Sequence, residues 1–395
     1  MTQVLKGVRV IELGTMITAP LAGMMLADLG ADVIKIEHPQ GGDPFRSFRG
    51  GRYSPHFVAY NRGKRGMQLD LRSAAGREIF QKLLVHTDIL IENYRAGVME
   101  RLGLGAGVLA ATNRALIHCS ITGFGTSGPY CGRPAYDSVG LALSGIASLL
   151  LDPDHPQICG PTIPDNATGM FACYGILGAL YERERTGKGR VVEVSMQDAI
   201  YASLASNYGM LHARGAAAPA RTGNRHGGLG ISPYNAYPTL DGYVVLNAPG
   251  DHHFRAMLDV MGRPDLKDDP RFLTRSTRVA NFAAVDELIE RWTKTLTKDE
   301  VARRMLAAAV PCAAVRDLAE VMNDENMHAR GSLQWINHPD LGRVVLPHSP
   351  LVFEGTERRP IEPSLPLGAS NEAVFGKLLG HSDDELKAYE KEGVI

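Results

Sequence analysis

The sequence predicts an α/β protein: an open, mostly parallel, Rossmann-like sheet in a large domain, joined to a smaller α+β domain. Three observations carry this reading. Short apolar runs rich in branched residues alternate with helical stretches through the first half of the chain, a pattern that builds a parallel sheet covered by helices. Near residue 213 the texture changes to Ala, Gly and Arg with little apolar periodicity, and a hairpin and three helical patterns follow. The length of 395 residues also exceeds the roughly 250–300 at which single hydrophobic cores stop growing.

In chain order, residues 8–13 (VRVIEL) read as a first strand and 20–30 (PLAGMMLADLG) as a helix, with Pro20 in its first turn and Gly30 as its stop. Residues 32–37 (DVIKIE) return as a second strand, which completes a βαβ unit. The pattern recurs with strands at 67–71, 88–93, 115–121 and 191–196 and helices at 73–86 and about 197–212. Residues 231–248 read as an antiparallel hairpin turned by Asp241-Gly242, followed by helices near 251–262, 282–295 and 298–309. Strand patterns resume at 332, and the tail 371–393 holds two short helical patterns. The expected organisation is therefore 1–200 as the first part of the large domain and 201–230 as a linker ending in a Gly-rich loop. Residues 231–320 form the small domain, and 321–395 return to the large one.

Composition narrows the function. With 42 basic and 43 acidic side chains, the chain lacks the basic excess of a nucleic-acid binder. With 44% hydrophobic residues it can fill a core. Five separated cysteines, Cys119, Cys131, Cys159, Cys173 and Cys312, form no CxxC pair and fit a reducing compartment. The longest apolar stretch, Val139 to Leu151, is too short and too rich in Ser and Gly to span a bilayer. The N-terminus shows no signal-peptide pattern, and a cytoplasmic protein is expected.

Three segments could carry chemistry. The turn Gly14-Thr15-Met16-Ile17-Thr18-Ala19-Pro20 lies at the carboxyl end of the first strand, where open α/β sheets bind ligands. It lacks the G-x-G-x-x-G fingerprint, so Glu37, at the position of a ribose-binding acid, reads as an ordinary surface residue and a nicotinamide dehydrogenase is disfavoured. Asp165 precedes a helical stretch. It reads as an N-cap, or as a carboxylate held ionised by the helix dipole and able to attack an activated acyl group. The helix that follows carries small residues at Ala167, Gly169, Gly175, Gly178 and Ala179, whose propensity cost tight packing would offset. The loop Gly223-Asn-Arg-His226-Gly227-Gly228-Leu229-Gly230 reads as a flexible linker or as a source of N–H groups for an oxyanion. His252-His253 lacks a third ligand, so no metal is expected.

Taken together, LADLGADVIKIEHPQGGDPFR (26–46), NRGKRGMQLDL (61–71), ENYRAGVMERLGL (92–104), ITGFGTSGPY (121–130) and DNATGMFACYGILGALYERERTGKG (165–189) resemble the class III CoA-transferases. This is the family of formyl-CoA transferase and carnitine CoA-transferase, and the match runs nearly end to end. The resemblance implies that CoA moves from an acyl-CoA donor to a carboxylic acid acceptor through aspartyl anhydride and aspartyl-CoA thioester intermediates. CoA is the substrate, with no metal or redox cofactor. The resemblance matches Asp165 to the catalytic aspartate, and Tyr136, Asp137, Gly228 and Gly230 to further active-site positions. It matches Met16, Ile17, Thr18, His38, Leu69, Asp70, Leu71, Arg72, Asn93, Tyr94, Arg95 and Arg101 to CoA contacts. His38 stands where some members carry arginine, and Pro134 where some carry a basic residue. The resemblance also implies an interlocked, ring-like homodimer, with no nucleic acid or membrane as partner.

Two rivals stay open. An α-methylacyl-CoA racemase would need two proton-transfer groups flanking the α-carbon, typically a His and an Asp, and 123–130 holds no His. A non-catalytic CoA binder would not need Asp165. Arg221 and Arg225 could pair with the distal carboxylate of a dicarboxylic substrate, or simply be solvated linker residues.

Overall fold

A computed structural model describes residues 3–48, 53–152, 154–158 and 160–395; Cys159 lies outside them. The chain divides into two compact units. One comprises Met1–Ser144, Gly160–Ile200 and Asp324–Ile395, the other Gly145–Cys159 and Tyr201–Asn323.

The first unit carries the expected α/β sheet. Its strands are β1 (Arg9–Glu12), β2 (Asp32–Glu37), β3 (Arg65–Gln68), β4 (Ile89–Glu92), β5 (Ile117–Thr122) and β6 (Val191–Ser195). They lie in the order β3-β2-β1-β4-β5-β6, and every pairing is parallel. The chain builds outward from β1 to β3, then returns to add β4 on the other side of β1. At this reversal the loops leaving β1 and β4 part in opposite directions and open a crevice at their carboxyl ends.

The strands read as continuous apolar runs because both faces of the sheet are covered. On one face Ile11, Ile34, Met67 and Leu90 pack against Ile79, Phe80 and Leu83 of the helix Ala74–Leu84. Val374, Phe375, Val394 and Ile395 join them from the C-terminus. The Asp70 N–H donates to the Val394 carbonyl at 2.8 Å, which ties the end of the chain to the sheet. On the other face Val10, Val33, Ile89, Ile91 and Ile117 meet two helices, Thr18–Asp28 and Ile163–Thr186. Glycine explains how closely this layer packs. A Cβ at Gly169 would stand 2.8 Å from the Thr18 carbonyl oxygen, and one at Gly175 would stand 2.8 Å from Val192 Cγ1. At Gly178 a Cβ would meet nothing within 4 Å, so packing does not account for that glycine.

The second unit holds the antiparallel strands β7 (Tyr234–Pro238), β8 (Tyr243–Asn247) and β9 (Cys312–Ala314). The turn between β7 and β8 is closed by the Thr239 N–H bonding the Gly242 carbonyl at 2.9 Å. Helices Asp251–Val260, Phe282–Thr293 and Lys298–Ala307 cover the sheet around Tyr237, Phe254, Met257, Ile289 and Met305. The stretch 201–230 includes the helix Ala205–Arg214. The antiparallel pair β10 (Leu333–His338) and β11 (Gly342–Pro347) belongs to the first unit.

Candidate active site

A cavity of about 210 Å³ opens at the carboxyl ends of the first unit's strands. It is lined by Thr15, Met16, Ile17 and Thr18 after β1, and by Asn93, Tyr94, Arg95 and Ala96 after β4. Ile121 to Gly125, Arg133, Ala135 and Tyr136 come from β5 and the loop beyond it, and Asp165 and Met196 complete the wall. The sequence-predicted residues Met16, Ile17, Thr18, Asn93, Tyr94, Arg95, Tyr136 and Asp165 therefore share one cavity, although up to 149 positions separate them.

Asn93 holds the first two loops together. Its Oδ1 accepts the Thr15 N–H at 3.0 Å, and its Nδ2 donates to the Thr15 carbonyl at 2.8 Å and to Thr18 Oγ1 at 3.0 Å. Gly14 permits the tight turn, since a Cβ there would stand 2.2 Å from Ala19 Cβ. Tyr94 is held beside Glu92, whose Oε2 accepts the Tyr94 N–H at 2.8 Å. Burial first, then the Glu92 charge, push the Tyr94 phenol up to about 12.

Asp165 corrects two sequence expectations. It is not an N-cap: it lies in the first turn of the helix Ile163–Thr186, whose N-cap residue is Thr162. The capping function passes to Asp137, whose Oδ1 accepts the Asp165 N–H at 3.1 Å. Asp137 opens the helix Asp137–Leu143, and Gly140 lets that helix close on Met196, 2.8 Å from where its Cβ would be. The second correction concerns charge. The helix dipole was expected to keep Asp165 ionised, but burial and then the nearby Asp137 carboxylate raise its pKa to about 7. Burial also raises Asp137. The result is a pair of neighbouring carboxyls, both raised above the usual carboxylate range, with Asp165 at the wall of the cavity.

The other predicted residues sit elsewhere. His38, Asp70 and Arg72 cluster together: Arg72 Nε donates to Asp70 Oδ1 at 2.9 Å, and His38 Nε2 lies 3.6 Å from the same oxygen. Leu69 and Leu71 are buried in the sheet core, so their side chains face neither solvent nor cavity. Arg101 ends the short helix Val98–Arg101 and is exposed. Gly228, Leu229 and Gly230 belong to the second unit, where the Gly228 N–H donates to His226 Nδ1 at 3.2 Å. Arg221 and Arg225 are already paired within that unit, Arg221 with Asp152 at 3.0 Å and Arg225 with Asp286. Glu37 is no surface residue: it is buried and ion-paired to Arg46 at 2.7 Å.

Sequence reasoning missed Arg133, which lines the cavity with its guanidinium 3.9 Å from the Tyr130 ring centre. Its signal was its place beside Pro134, where a basic residue was noted as missing. It also missed Asp43, Lys35 and Glu12, which lie under the Thr15–Thr18 loop. The His252 and His253 rings lie tilted against each other with their centres 3.9 Å apart, and among the described residues no group of three His, Cys, Asp or Glu could hold a metal ion. Among them no helix is long and apolar enough to cross a membrane.

Residues 5–371 match the model of CoA-transferase family III. The chain is 34% identical over 396 residues to succinyl-CoA–D-citramalate CoA-transferase of Chloroflexus aurantiacus, covering 99% of this chain and 98% of that one. It is 38% identical to acetyl-CoA:oxalate CoA-transferase of Acetobacter aceti, covering 91% of this chain and 92% of that one. The crystal structure of a CAIB/BAIF family protein from Brucella suis superposes with a TM-score of 0.83 at 35% identity, covering 96% of this chain and 100% of that chain.

Proposed function

The chain belongs to CoA-transferase family III and is an enzyme of that class, and from that premise we propose that Asp165 carries the transferred groups. The single observation behind this reading is the placement of Asp165 at the wall of the strand-end cavity, in the first turn of a helix and ion-paired to no cation among the described residues. A carboxylate without a bound cation is free to act as a nucleophile.

The proposed sequence conserves the thioester energy. Asp165 Oδ attacks the donor carbonyl and expels CoA thiolate, leaving an aspartyl–acyl anhydride. The thiolate attacks the aspartyl carbonyl, which releases the donor acid and leaves an aspartyl-CoA thioester. The acceptor carboxylate attacks that thioester and expels thiolate again, giving a second anhydride. Thiolate then attacks the acceptor's acyl carbon, forming the new acyl-CoA and freeing Asp165. Each attack raises an oxyanion, and one well-placed N–H is worth about 3–4 kcal/mol there. Gly228 and Gly230 are proposed donors, with the Gly228 N–H first leaving His226.

Met16, Ile17, Thr18, Asn93, Tyr94 and Arg95 are proposed to contact CoA, supported by their shared cavity with Asp165. His38, Asp70, Arg72 and Arg101 would act farther along the cofactor. We extend to this chain the dicarboxylic class of citramalate and oxalate, the acids in its relatives' names. Arg133, which lines the cavity, supports that choice, whereas Arg221 and Arg225 already have carboxylate partners. A homodimer is proposed as well, supported by Met170, Tyr174 and Tyr181, which leave an exposed apolar stripe along the helix Ile163–Thr186. Racemisation is less favoured, because the described cavity wall holds no histidine.

The test is a panel of succinyl-, acetyl- and formyl-CoA against mono- and dicarboxylic acids, read by mass spectrometry with wild type and Asp165→Ala. Transfer by wild type and none by the variant is expected. Transfer surviving in Asp165→Ala would overturn the mechanism.

A further inference from the structure

The loop after β1 reaches its cavity-lining shape through an unfavourable backbone. Met16 has φ +63°, a left-handed conformation that is unfavourable for any residue but glycine. Something nearby must hold it. Asp43, on the loop after β2, is almost wholly buried, and both of its carboxylate oxygens accept the Met16 N–H, at 3.1 and 3.2 Å.

That carboxylate is itself fixed. Lys35 Nζ lies 3.0 Å from Asp43 Oδ2, 2.8 Å from Glu12 Oε1 and 2.7 Å from the Gly14 carbonyl. Lys64 Nζ closes the set, 2.7 Å from Glu12 Oε2. All four side chains are buried, and two cations balance two anions. Gly23 makes room for the cluster, since a Cβ there would stand 2.1 Å from Glu12 Oε2. The Phe45 N–H adds a further bond to Asp43 Oδ1 at 2.9 Å. Lys35 thus grips the loop at the Gly14 carbonyl while Asp43 grips it at the Met16 N–H.

We infer that Asp43, anchored by Lys35, is a positioning residue for CoA binding: it holds Met16 in its left-handed conformation and so shapes the Gly14–Thr18 turn. This inference rests on the reading that the turn contacts CoA. A charge-assisted bond of this kind is worth a factor of about 10 to 100 in an equilibrium. Asp43 does not itself line the cavity that holds Asp165, so its loss acts through the turn, on CoA affinity rather than on the acceptor.

The experiment measures CoA affinity by calorimetry, with KM for donor and acceptor alongside, for wild type, Asp43→Asn, Met16→Gly and the double variant Asp43→Asn/Met16→Gly. Asp43→Asn is expected to weaken CoA binding and raise the acyl-CoA KM by about tenfold or more, with the acceptor KM unchanged. Glycine adopts positive φ without support, so measured against Met16→Gly alone, which sets aside the Met16 side chain's own CoA contact, adding Asp43→Asn should cost far less affinity than it does in wild type. Unchanged CoA affinity in Asp43→Asn, or an equal loss on adding it to Met16→Gly, overturns the inference. Should Asp43→Asn fail to fold, Met16→Val carries the test. A β-branched residue resists positive φ, so CoA affinity must fall while the buried charges stay intact; unchanged affinity overturns the inference here too. Wild type that binds no CoA would instead contradict the site reading itself.

Discussion

Asp43 and Asp165 are two carboxyls of the same unit, one on the loop after β2 and one in the first turn of a helix, and their pKa values are shifted in opposite directions. Burial alone would raise both. At Asp43 the Lys35 ammonium and the Phe45 and Met16 N–H donors outweigh burial, and its pKa falls below the usual carboxylate range. At Asp165 the neighbour is another carboxyl, Asp137, and the pKa climbs to about 7. The difference teaches that a fixed cation makes a buried carboxylate structural, whereas its absence leaves a carboxylate reactive and responsive to pH.

The largest expected effect comes from removing the reactive member. Asp165→Ala should lower the transfer rate by about 10⁴-fold or more, as loss of a covalent nucleophile does; steady-state assays of purified protein check this. Next comes the structural side of the contrast. Lys35→Met leaves Asp43 without its cation and Glu12 with Lys64 alone, and removing one partner of a buried pair costs about 3–5 kcal/mol. The midpoint of urea unfolding should drop accordingly, with Asp165 chemistry affected only through the fold.

Asp165→Asn should do the opposite to stability. The folded pKa of Asp165 is raised above its unfolded value near 3.9. The stability this group confers is therefore complete below about pH 4 and is lost as pH rises toward about 7. Asparagine carries no charge to bury, so the variant should be more stable than wild type above pH 7, by about 2–4 kcal/mol, and the gap should close below pH 4. Equal unfolding midpoints at pH 8 would break the comparison. The smallest effect is kinetic. Only ionised Asp165 attacks, so kcat/KM for acyl-CoA should rise with pH through about 7. Asp137→Asn removes a repelling charge and should move that rise to lower pH.

The strands and the first βαβ unit were legible because their signal is local: VRVIEL and DVIKIE are apolar runs covered on both faces. Asp165 was legible as a chemical candidate, but its ionisation was not. The dipole argument used only its own helix, and the opposing Asp137 comes from 28 positions away. Glu37 was misread for the same reason, since Arg46 lies beyond a turn and makes a buried pair of what looked like a surface acid. Lys35, Asp43 and Lys64 gave no local signal. They look like ordinary loop and strand charges until the sheet places them under one turn.

The central claim is that Asp165 becomes covalently attached to the groups it transfers. The direct measurement is mass spectrometry of the protein quenched during turnover with acyl-CoA and treated with hydroxylamine, which converts an aspartyl anhydride or thioester to a hydroxamate. The account predicts a hydroxamate at Asp165, dependent on acyl-CoA. An unmodified Asp165 in samples that turn over at the full rate would contradict it.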